Sequence, residues 1–303
     1  MLSVVHHPAY RLDLASGRRF PVNKAARLAE VLVEEGLVAE GGFLEPEPAD
    51  FAQLAAAHDP AYVRQVLDGA LPPEAERRIG FAVTPAVGER SRAASGGTLL
   101  AGRLALREGA ACNTAGGGHH AARDRGTGYC VFNDVAVAAT ALLAEGAVGR
   151  VLVVDLDVHQ GDGTARIFED DARVFTFSMH ATRNFPARKA RSDLDVELDD
   201  GCEDGPYLAA LADALPGLIE SVRPDLVFYN AGVDPHRDDR LGRLSLTDEG
   251  LWARDNYVLD ACLSRGAPVA CVIGGGYDPD IDRLARRHAL LHRAARDARA
   301  RSD

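Results

Sequence analysis

The stretch VLVVDLDVHQGDG, which runs from Val151 to Gly163, decides how the rest of the chain is interpreted. An apolar run leads directly into the charged or polar side chains of Asp155, Asp157 and His159, which share one face of an extended strand because side chains alternate with a period of two. Burying these groups is costly unless something compensates them, and carboxylate and neutral imidazole are both ligands of divalent metals. The stretch therefore predicts a metal site at a strand end. A solvated acidic loop is the alternative.

Short apolar runs alternate with helical stretches along the chain. The predicted strands are Leu2–Val5, Ala111–Thr114, Val151–Asp155, Arg173–Phe177, Leu226–Asn230 and Val269–Ile273. The predicted helices are Asn23–Glu35, Pro85–Arg107, Asp134–Glu145, Pro206–Val222, Thr247–Arg265 and Asp280–Ala298, and Leu71–Arg92 is predicted to be a loop followed by the start of a helix. The alternation predicts an α/β fold, a parallel sheet with helices on both faces, which binds ligands beyond the carboxyl ends of its strands.

Composition narrows the class of protein. The 303 residues are 47% hydrophobic, which is enough for one domain over residues 1–303. A net charge of −11 argues against general binding to nucleic acid or anionic membranes. The five cysteines, without a CxxC spacing, form neither a disulfide framework nor a cysteine zinc site. There is no signal peptide and no apolar run of about 18 residues, so we expect a cytoplasmic protein without membrane insertion.

A second predicted strand end adds a carboxylate to the candidate metal site. In the stretch NAGVDPH, Asp234 follows the apolar run Leu226–Tyr229. Two aspartates and one histidine would form a neutral site around a dication, and three ligands without a thiolate leave a position open for water, as in catalytic metal sites. Taken alone, Asp234 is equally well explained as a helix cap or a turn residue.

Two glycine-rich stretches follow other predicted strands. In AGGGHHA, His119 and His120 are candidates for a general base and a general acid, with Asp155 and Asp162 as orienting carboxylates. A phosphate-binding glycine turn or two surface histidines are the alternatives. In IGGGYD, the hydroxyl of Tyr277 is a candidate donor to an oxyanion, the alternative being a packing role.

Together these motifs resemble one family. AGGGHHA, RGTGYCVFNDVAVA, VDLDVHQGDG, YNAGVDPHRDDRLGRLSLT and GGGY follow the order and spacing of the zinc-dependent histone deacetylase-like amidohydrolases, and HDPAYV resembles that family's N-terminal segment. The resemblance spans about His6 to Leu290. DRLGRLSLT is most similar to class IV deacetylases and their bacterial relatives, whereas GGGHHA is closer to the other classes. The resemblance implies the arginase/deacetylase fold, with a central parallel sheet of about eight strands.

The resemblance also implies a set of site residues. The implied zinc ligands are Asp157, His159 and Asp234, a set that Fe²⁺ could also occupy. The implied catalytic residues are the tandem histidines His119 and His120, their partners Asp155 and Asp162, and Tyr277, which polarises the scissile carbonyl. The implied lining of the acyl-lysine tunnel is Gly128, Tyr129, Phe185 and Leu241. The implied structural potassium sites are the backbone at Asp155, Asp157, His159, Ser178 and Met179, and a second set at Phe168, Asp171 and Val174.

Some positions depart from the family pattern. Lys24 stands where relatives have an arginine lining the internal channel, and Gln160 stands where many have a second histidine. No acidic substrate-gripping residue can be assigned in Ile79–Val87. Cys130 falls at a family cysteine near the tunnel floor, where we expect packing rather than nucleophilic chemistry.

The expected activity is metal-assisted hydrolysis of an acylated amine, chiefly N-ε-acyl-lysine in a protein or peptide. In this mechanism His120 takes a proton from water, and His119 helps to stabilise the transition state and the protonation of the leaving amine. One alternative is an enzyme for acetylpolyamines or other small amides, which should carry acidic groups at the tunnel mouth. Another is a catalytically silent binding module, which should lack one of these residues. A ureohydrolase is disfavoured because two manganese ions need more ligands. Acyl-chain length and oligomeric state are left open.

Overall fold

One sheet of parallel strands organises the residues that the computed structural model describes, which are 2–12 and 21–302. The strands are β1 (Ser3–Val5), β2 (Ala110–Asn113), β3 (Val151–Asp155), β4 (Val174–Ala181), β5 (Leu194–Leu198), β6 (Leu226–Ala231) and β7 (Val269–Ile273). Their order across the sheet is β1-β2-β7-β6-β3-β4-β5, and every neighbouring pair is parallel. The predicted α/β class with a parallel sheet is confirmed.

Helices cover both faces of this sheet. They are α1 (Lys24–Glu34), α2 (Phe51–Ala57), α3 (Pro60–Leu67), α4 (Pro73–Ile79), α5 (Pro85–Glu108), α6 (Asp134–Ala144), α7 (Asp162–Phe168), α8 (Asp204–Val222), α9 (Asp248–Leu263) and α10 (Ile281–Ser302). Helices α5 and α6 pack together on one face, whereas α1, α9 and α10 pack together on the other. Among the described residues, no helix is long and apolar enough to cross a membrane.

Alternation along β3 shows why the apolar run is buried on both sides. Val151 and Val153 face the core under α5 and α6, whereas Leu152 and Val154 face the core under α8 and α9. All four side chains are at most 2% exposed. Burial of each contributes about 1.5–3 kcal/mol, so this strand is fixed in the centre of the sheet. Its last residue, Asp155, is thereby held at the sheet's carboxyl edge beside Asn230 of β6.

Three details of the predicted elements are corrected. The described residues form seven strands rather than about eight. The stretch after Phe177 continues as strand to Ala181, so Ser178 and Met179 lie within β4 rather than beyond it. The segment Leu71–Arg92 holds a complete helix, α4, in addition to the start of α5.

Candidate active site and metal centre

The three predicted metal ligands meet beyond the carboxyl ends of β3 and β6. The possible ligand atoms of Asp157, His159 and Asp234 all lie within 4.8 Å of one another, and all three residues are buried. His159 Nδ1 lies 2.9 Å from Asp157 Oδ1 and 3.1 Å from Asp234 Oδ2. Burial and the neighbouring Asp157 charge raise the pKa of Asp234 to about 7. The site therefore concentrates buried negative charge that a dication would neutralise.

The donor set fits a metal ion of the zinc type. Asp234 Oδ2 is buried and makes no hydrogen bond. Gly275 leaves room beside it, because a Cβ atom there would collide with Asp234 Oδ2 and lie 2.8 Å from Asp157 Oδ2. Two carboxylates and one imidazole, with no thiolate, are the ligand chemistry of catalytic zinc sites and also suit Fe²⁺. The residues present therefore fit the metal that the sequence predicts.

Backbone N–H groups hold both carboxylates in place. Gly275 N donates to Asp157 Oδ2 at 2.6 Å, and Val158 N donates to Asp234 Oδ1 at 3.0 Å. These bonds occupy one oxygen of each carboxylate. Groups that fix the ligands in this way raise both the precision and the strength of metal binding.

A buried arginine, which the sequence analysis did not identify, supports the two ligand segments. Arg254 Nη1 donates to the carbonyl of Leu156 at 3.2 Å and to that of Gly232 at 2.7 Å, immediately before Asp157 and two residues before Asp234. The side chain of Asp255 balances its charge, accepting from Arg254 Nε at 2.9 Å. A signal was present in the sequence, since both charges occupy the buried stripe of α9 where helical periodicity calls for apolar residues.

The two histidines each pair with the predicted carboxylate. His119 Nδ1 lies 2.7 Å from Asp155 Oδ2, and His120 Nδ1 lies 2.8 Å from Asp162 Oδ1. Asn230 Nδ2 donates to the other oxygen of Asp155 at 2.9 Å. The pairings fix the ring orientations and leave Nε2 of each ring available for chemistry.

Their pKa values are pushed apart. Burial lowers the pKa of His119, but the negative charges of Asp155 and Asp157 outweigh it and raise the value to about 9. Burial and the neighbouring His119 charge lower the pKa of His120 to about 3. The pKa of His119 therefore lies above that of His120, which is the separation expected of an acid and a base in one site.

The predicted tunnel residues line one open pocket of about 490 Å³. Its lining includes all four predicted positions, one of the paired histidines, one metal-ligand residue and the predicted oxyanion donor, namely Gly128, Tyr129, Phe185, Leu241, His120, His159 and Tyr277. Gly128 has a φ of 55°, and a Cβ atom there would lie 2.6 Å from His120 Cδ2. Glycine is needed at position 128 for this backbone conformation. It also allows the tunnel segment at Gly128 to approach the ring of His120 closely.

Tyr277 stands in the wall of the same pocket. Its ring centroid lies 6.2 Å from that of His159 and 5.9 Å from that of Tyr129. Asp239 Oδ2 accepts from the Tyr277 backbone N–H at 2.7 Å, and Arg240 Nε donates to its carbonyl at 2.8 Å. Burial and the metal-site carboxylates raise the phenol pKa well above its usual value, so the hydroxyl stays protonated and can donate.

The structure also shows the contacts of the residues that depart from the family pattern and of the family cysteine. Lys24 Nζ donates to the carbonyl of Gly274 at 2.5 Å and lines a second, inner cavity that His119 and Tyr277 also border. Burial raises the pKa of the Cys130 thiol, which is consistent with packing. Gln160 Nε2 donates to Asp195 Oδ1 of β5 at 2.8 Å.

The residues of the predicted potassium sites lie in two compact groups. Ser178 of β4 pairs with Asp155 of β3 in the sheet, which places the first group at the end of β3, just before the metal ligand Asp157. In the second, Asp171 N donates to the Phe168 carbonyl at 2.9 Å and Val174 N donates to the Asp171 carbonyl at 3.0 Å. Potassium binding at both places stays a prediction.

The fold and the site define an α/β protein with a buried candidate metal centre at the base of an open pocket, and comparisons with known proteins give the family. The histone deacetylase domain model matches residues 19–292. The chain is 51% identical over 294 residues to an uncharacterized protein of Picosynechococcus sp., covering 97% of this chain and 98% of that one. It is 30% identical over 288 residues to Histone deacetylase 2 of Arabidopsis thaliana, covering 91% and 74% of the two chains. A probable deacetylase of Methanothermobacter thermautotrophicus is 30% identical over 296 residues, with coverages of 91% and 86%.

A solved structure shares the fold. The HDA15 HD domain has a TM-score of 0.78 to this chain at 21% identity, covering 99% of this chain and 92% of that one. The chain belongs to the histone deacetylase family, and its domain is of the deacetylase hydrolase type. The resemblance identified from the motifs, including the bacterial relatives, is confirmed. The assignment to class IV stays a prediction.

Proposed function

We propose that this chain is a metal-dependent deacylase that hydrolyses the amide of N-ε-acyl-lysine in proteins or peptides. The observation that carries the proposal is the convergence of three buried metal-ligand side chains, two histidines with opposed pKa values and a tyrosine on one open pocket. The proposal includes Zn²⁺ at Asp157, His159 and Asp234, with Fe²⁺ as an alternative. It also includes structural K⁺ at the two predicted sites, a single catalytic domain over residues 1–303 and a cytoplasmic location.

The residues divide the proton transfers between them. The metal, when bound, supplies Lewis acidity toward the acyl carbonyl and toward water. Neutral His120, oriented by Asp162, accepts the proton of the attacking water. Protonated His119, paired with Asp155, stabilises negative charge in the transition state and supplies a proton to the leaving amine. Tyr277 donates a hydrogen bond to the carbonyl oxygen as charge develops on it.

The charge of the pocket lining favours one of the two substrate classes over the other. A polyamine substrate is a polycation and favours carboxylates around the opening. Among the described residues that line the pocket there is no aspartate or glutamate, whereas Arg77, Arg78, Arg183 and Arg243 are all present. This charge supports a peptide substrate over an acetylpolyamine. The silent binding module is disfavoured because each of the residues needed for hydrolysis is present at the site.

A substrate screen tests the proposal. The purified protein, with its metal content measured, is incubated with acetyl-lysine and longer acyl-lysine peptides and with acetylated putrescine, spermidine and spermine. We expect release of free lysine peptide, and loss of that activity in His120→Ala protein that keeps its metal. If only the acetylpolyamines were hydrolysed, the substrate would be a polyamine rather than an acyl-lysine peptide. If no amide were hydrolysed, the proposed function would be overturned.

A further inference from the structure

Four arginines surround the opening of the active-site pocket. Arg77 and Arg78 come from the end of α4, whereas Arg183 and Arg243 come from loops that follow β4 and precede α9. All four are exposed. They belong to a chain whose net charge is −11, so the positive rim is a local feature that runs against the charge of the whole molecule. We call these residues the arginine rim.

The charge of the arginine rim is only partly balanced by neighbouring carboxylates. Asp200 is shared, lying 3.0 Å from Arg243 Nη1 and 3.5 Å from Arg183 Nε. The ion pair of Arg78 is long, with 4.0 Å between Arg78 Nη2 and Glu74 Oε1, and the Glu74 side chain is 80% exposed. Within the described part of the chain, Arg77 has no carboxylate within 4.0 Å. The rim thus carries four guanidinium groups against two nearby carboxylates.

The geometry of these pairs leaves the rim free to bind an external anion. Exposed ion pairs are weak because water screens both charges, so a substrate carboxylate can displace or join Asp200 at little cost. The guanidinium group matches a carboxylate through two parallel hydrogen bonds, which gives arginine a preference for aspartate and glutamate. Gly128, Phe185 and Leu241 line the same pocket as the four arginines, so an acyl-lysine that enters it brings its flanking residues onto the rim.

We propose that the arginine rim selects acyl-lysines that lie in acidic peptide segments, with aspartate or glutamate flanking the modified lysine. The proposal rests on the proposed deacylase function and names the substrate class of that same site. Complementary charge speeds encounter and fixes orientation, so its effect falls on KM and on kcat/KM rather than on the chemical step.

Three matched peptides test the selection. Each holds one acetyl-lysine, flanked on both sides by glutamate, glutamine or lysine. We expect kcat/KM to fall in the order glutamate, glutamine, lysine, with at least about a tenfold span at low salt, carried mainly by KM. The span should shrink as salt is raised from about 0.02 to 0.5 M, because exposed charges are screened. Equal kcat/KM for the glutamate and glutamine peptides would overturn the proposal.

Variants that remove rim charges test whether the preference for the glutamate peptide comes from the arginine rim. In R183Q/R243Q and R77Q/R78Q proteins we expect the ratio of kcat/KM for the glutamate peptide to kcat/KM for the glutamine peptide to fall by about threefold per arginine removed, as for exposed ion pairs. Arg103→Gln is the matched control, because Arg103 is an exposed arginine of α5 paired with Glu145 at 2.6 Å. An equal loss in the control would show a general charge effect and would contradict a role for the rim.

A binding measurement separates this proposal from the proposed function. Tetramethylrhodamine-labelled versions of the three peptides are titrated with Tyr277→Phe protein and followed by fluorescence anisotropy. Tighter binding of the glutamate peptide supports the rim even where no peptide is hydrolysed, in which case the proposed deacylase function fails alone. Equal binding of all three overturns the rim proposal. Competition by a 20-nucleotide single-stranded DNA at lower concentration than by the glutamate peptide would contradict a peptide partner.

Discussion

At the scale of single residues, His119 and His120 show how neighbouring side chains of one type acquire different roles. Both are buried and both pair with a carboxylate through Nδ1. His119 also lies near a second carboxylate, with 3.8 Å between its Nε2 and Asp157 Oδ1. His120 instead lies beside His119, whose positive charge lowers the pKa of His120. The higher pKa of His119 therefore comes from two carboxylates, Asp155 and Asp157, whereas burial and the charge of His119 lower the pKa of His120.

Removal of the Tyr277 hydroxyl tests the oxyanion donor. In Tyr277→Phe protein we expect kcat for an acetyl-lysine peptide to fall by about 10²–10³, the usual effect of losing one oxyanion donor. The ring packing against Tyr129 and His159 remains, so metal content and melting temperature should match those of the unmodified protein. Turnover at the original rate would show that Tyr277 has only a packing role.

At the scale of elements, α9 connects the fold to the metal ligands. Its Arg254 bonds to the backbone of both ligand segments, and Asp255 accepts a further hydrogen bond from Tyr229 of β6 at 2.6 Å. One buried charged pair thus ties a helix to two loops that are far apart in sequence. We expect this contact to set the spacing of the metal ligands.

Arg254→Lys tests this positioning role. A lysine ammonium cannot reproduce the planar set of donors to the two carbonyls and to Asp255. We expect Zn²⁺ affinity to fall by about 10- to 100-fold, as for other groups that support metal ligands, while the fold is retained. The affinity is measured by titrating metal-free protein with Zn²⁺ in competition with a chromophoric chelator.

The control for Arg254→Lys is Leu142→Ala in α6. Leu142 is 0% exposed and packs in the core under α5 and α6. Its truncation costs about 2–5 kcal/mol of unfolding free energy, so it lowers the melting temperature without a contact to the ligand segments. Unchanged Zn²⁺ affinity in Arg254→Lys, or an equal loss in both variants, would mean that Arg254 acts only through general stability.

The elements that the sequence predicted correctly are those with a continuous local signal. Strand β3 is apolar on both faces, so its run is unbroken. Strand β5 was missed because it is an edge strand in which acidic residues alternate with apolar ones, and most of it is half-buried. The metal ligands were found because they directly follow such apolar runs. The arginine rim was not, because Arg77 and Arg243 become neighbours of one pocket only after folding.

At the scale of the whole molecule, buried and half-buried histidines outside the site link stability to pH. Burial lowers the pKa of His6, His58, His180 and His292 to about 4, so these rings stay neutral in the fold. An unfolded histidine binds a proton near pH 6.5. Because the unfolded chain then binds more protons than the folded one, the free energy of unfolding should fall as the pH is lowered from about 6.5 to 4.

His58 offers a direct test of this linkage. Its Nδ1 lies 2.9 Å from the Ala122 carbonyl, and its Nε2 accepts from Asn133 N at 3.0 Å. The lowered pKa corresponds to about 3 kcal/mol of stability lost between pH 6.5 and 4. The free energy of unfolding is measured with urea at several pH values between 8 and 5. It should change less with pH in His58→Gln protein than in the unmodified protein. Identical slopes would contradict a neutral buried His58.

The central claim is that amide hydrolysis depends on a metal ion held by Asp157, His159 and Asp234. The measurement is turnover of an acetyl-lysine peptide by protein that has been stripped with a chelator, checked for metal by mass spectrometry, and then titrated with Zn²⁺. We predict no turnover in the metal-free protein and recovery that saturates at one equivalent per chain, and neither recovery nor tight binding in Asp234→Ala protein. Full turnover by verified metal-free protein would contradict the account.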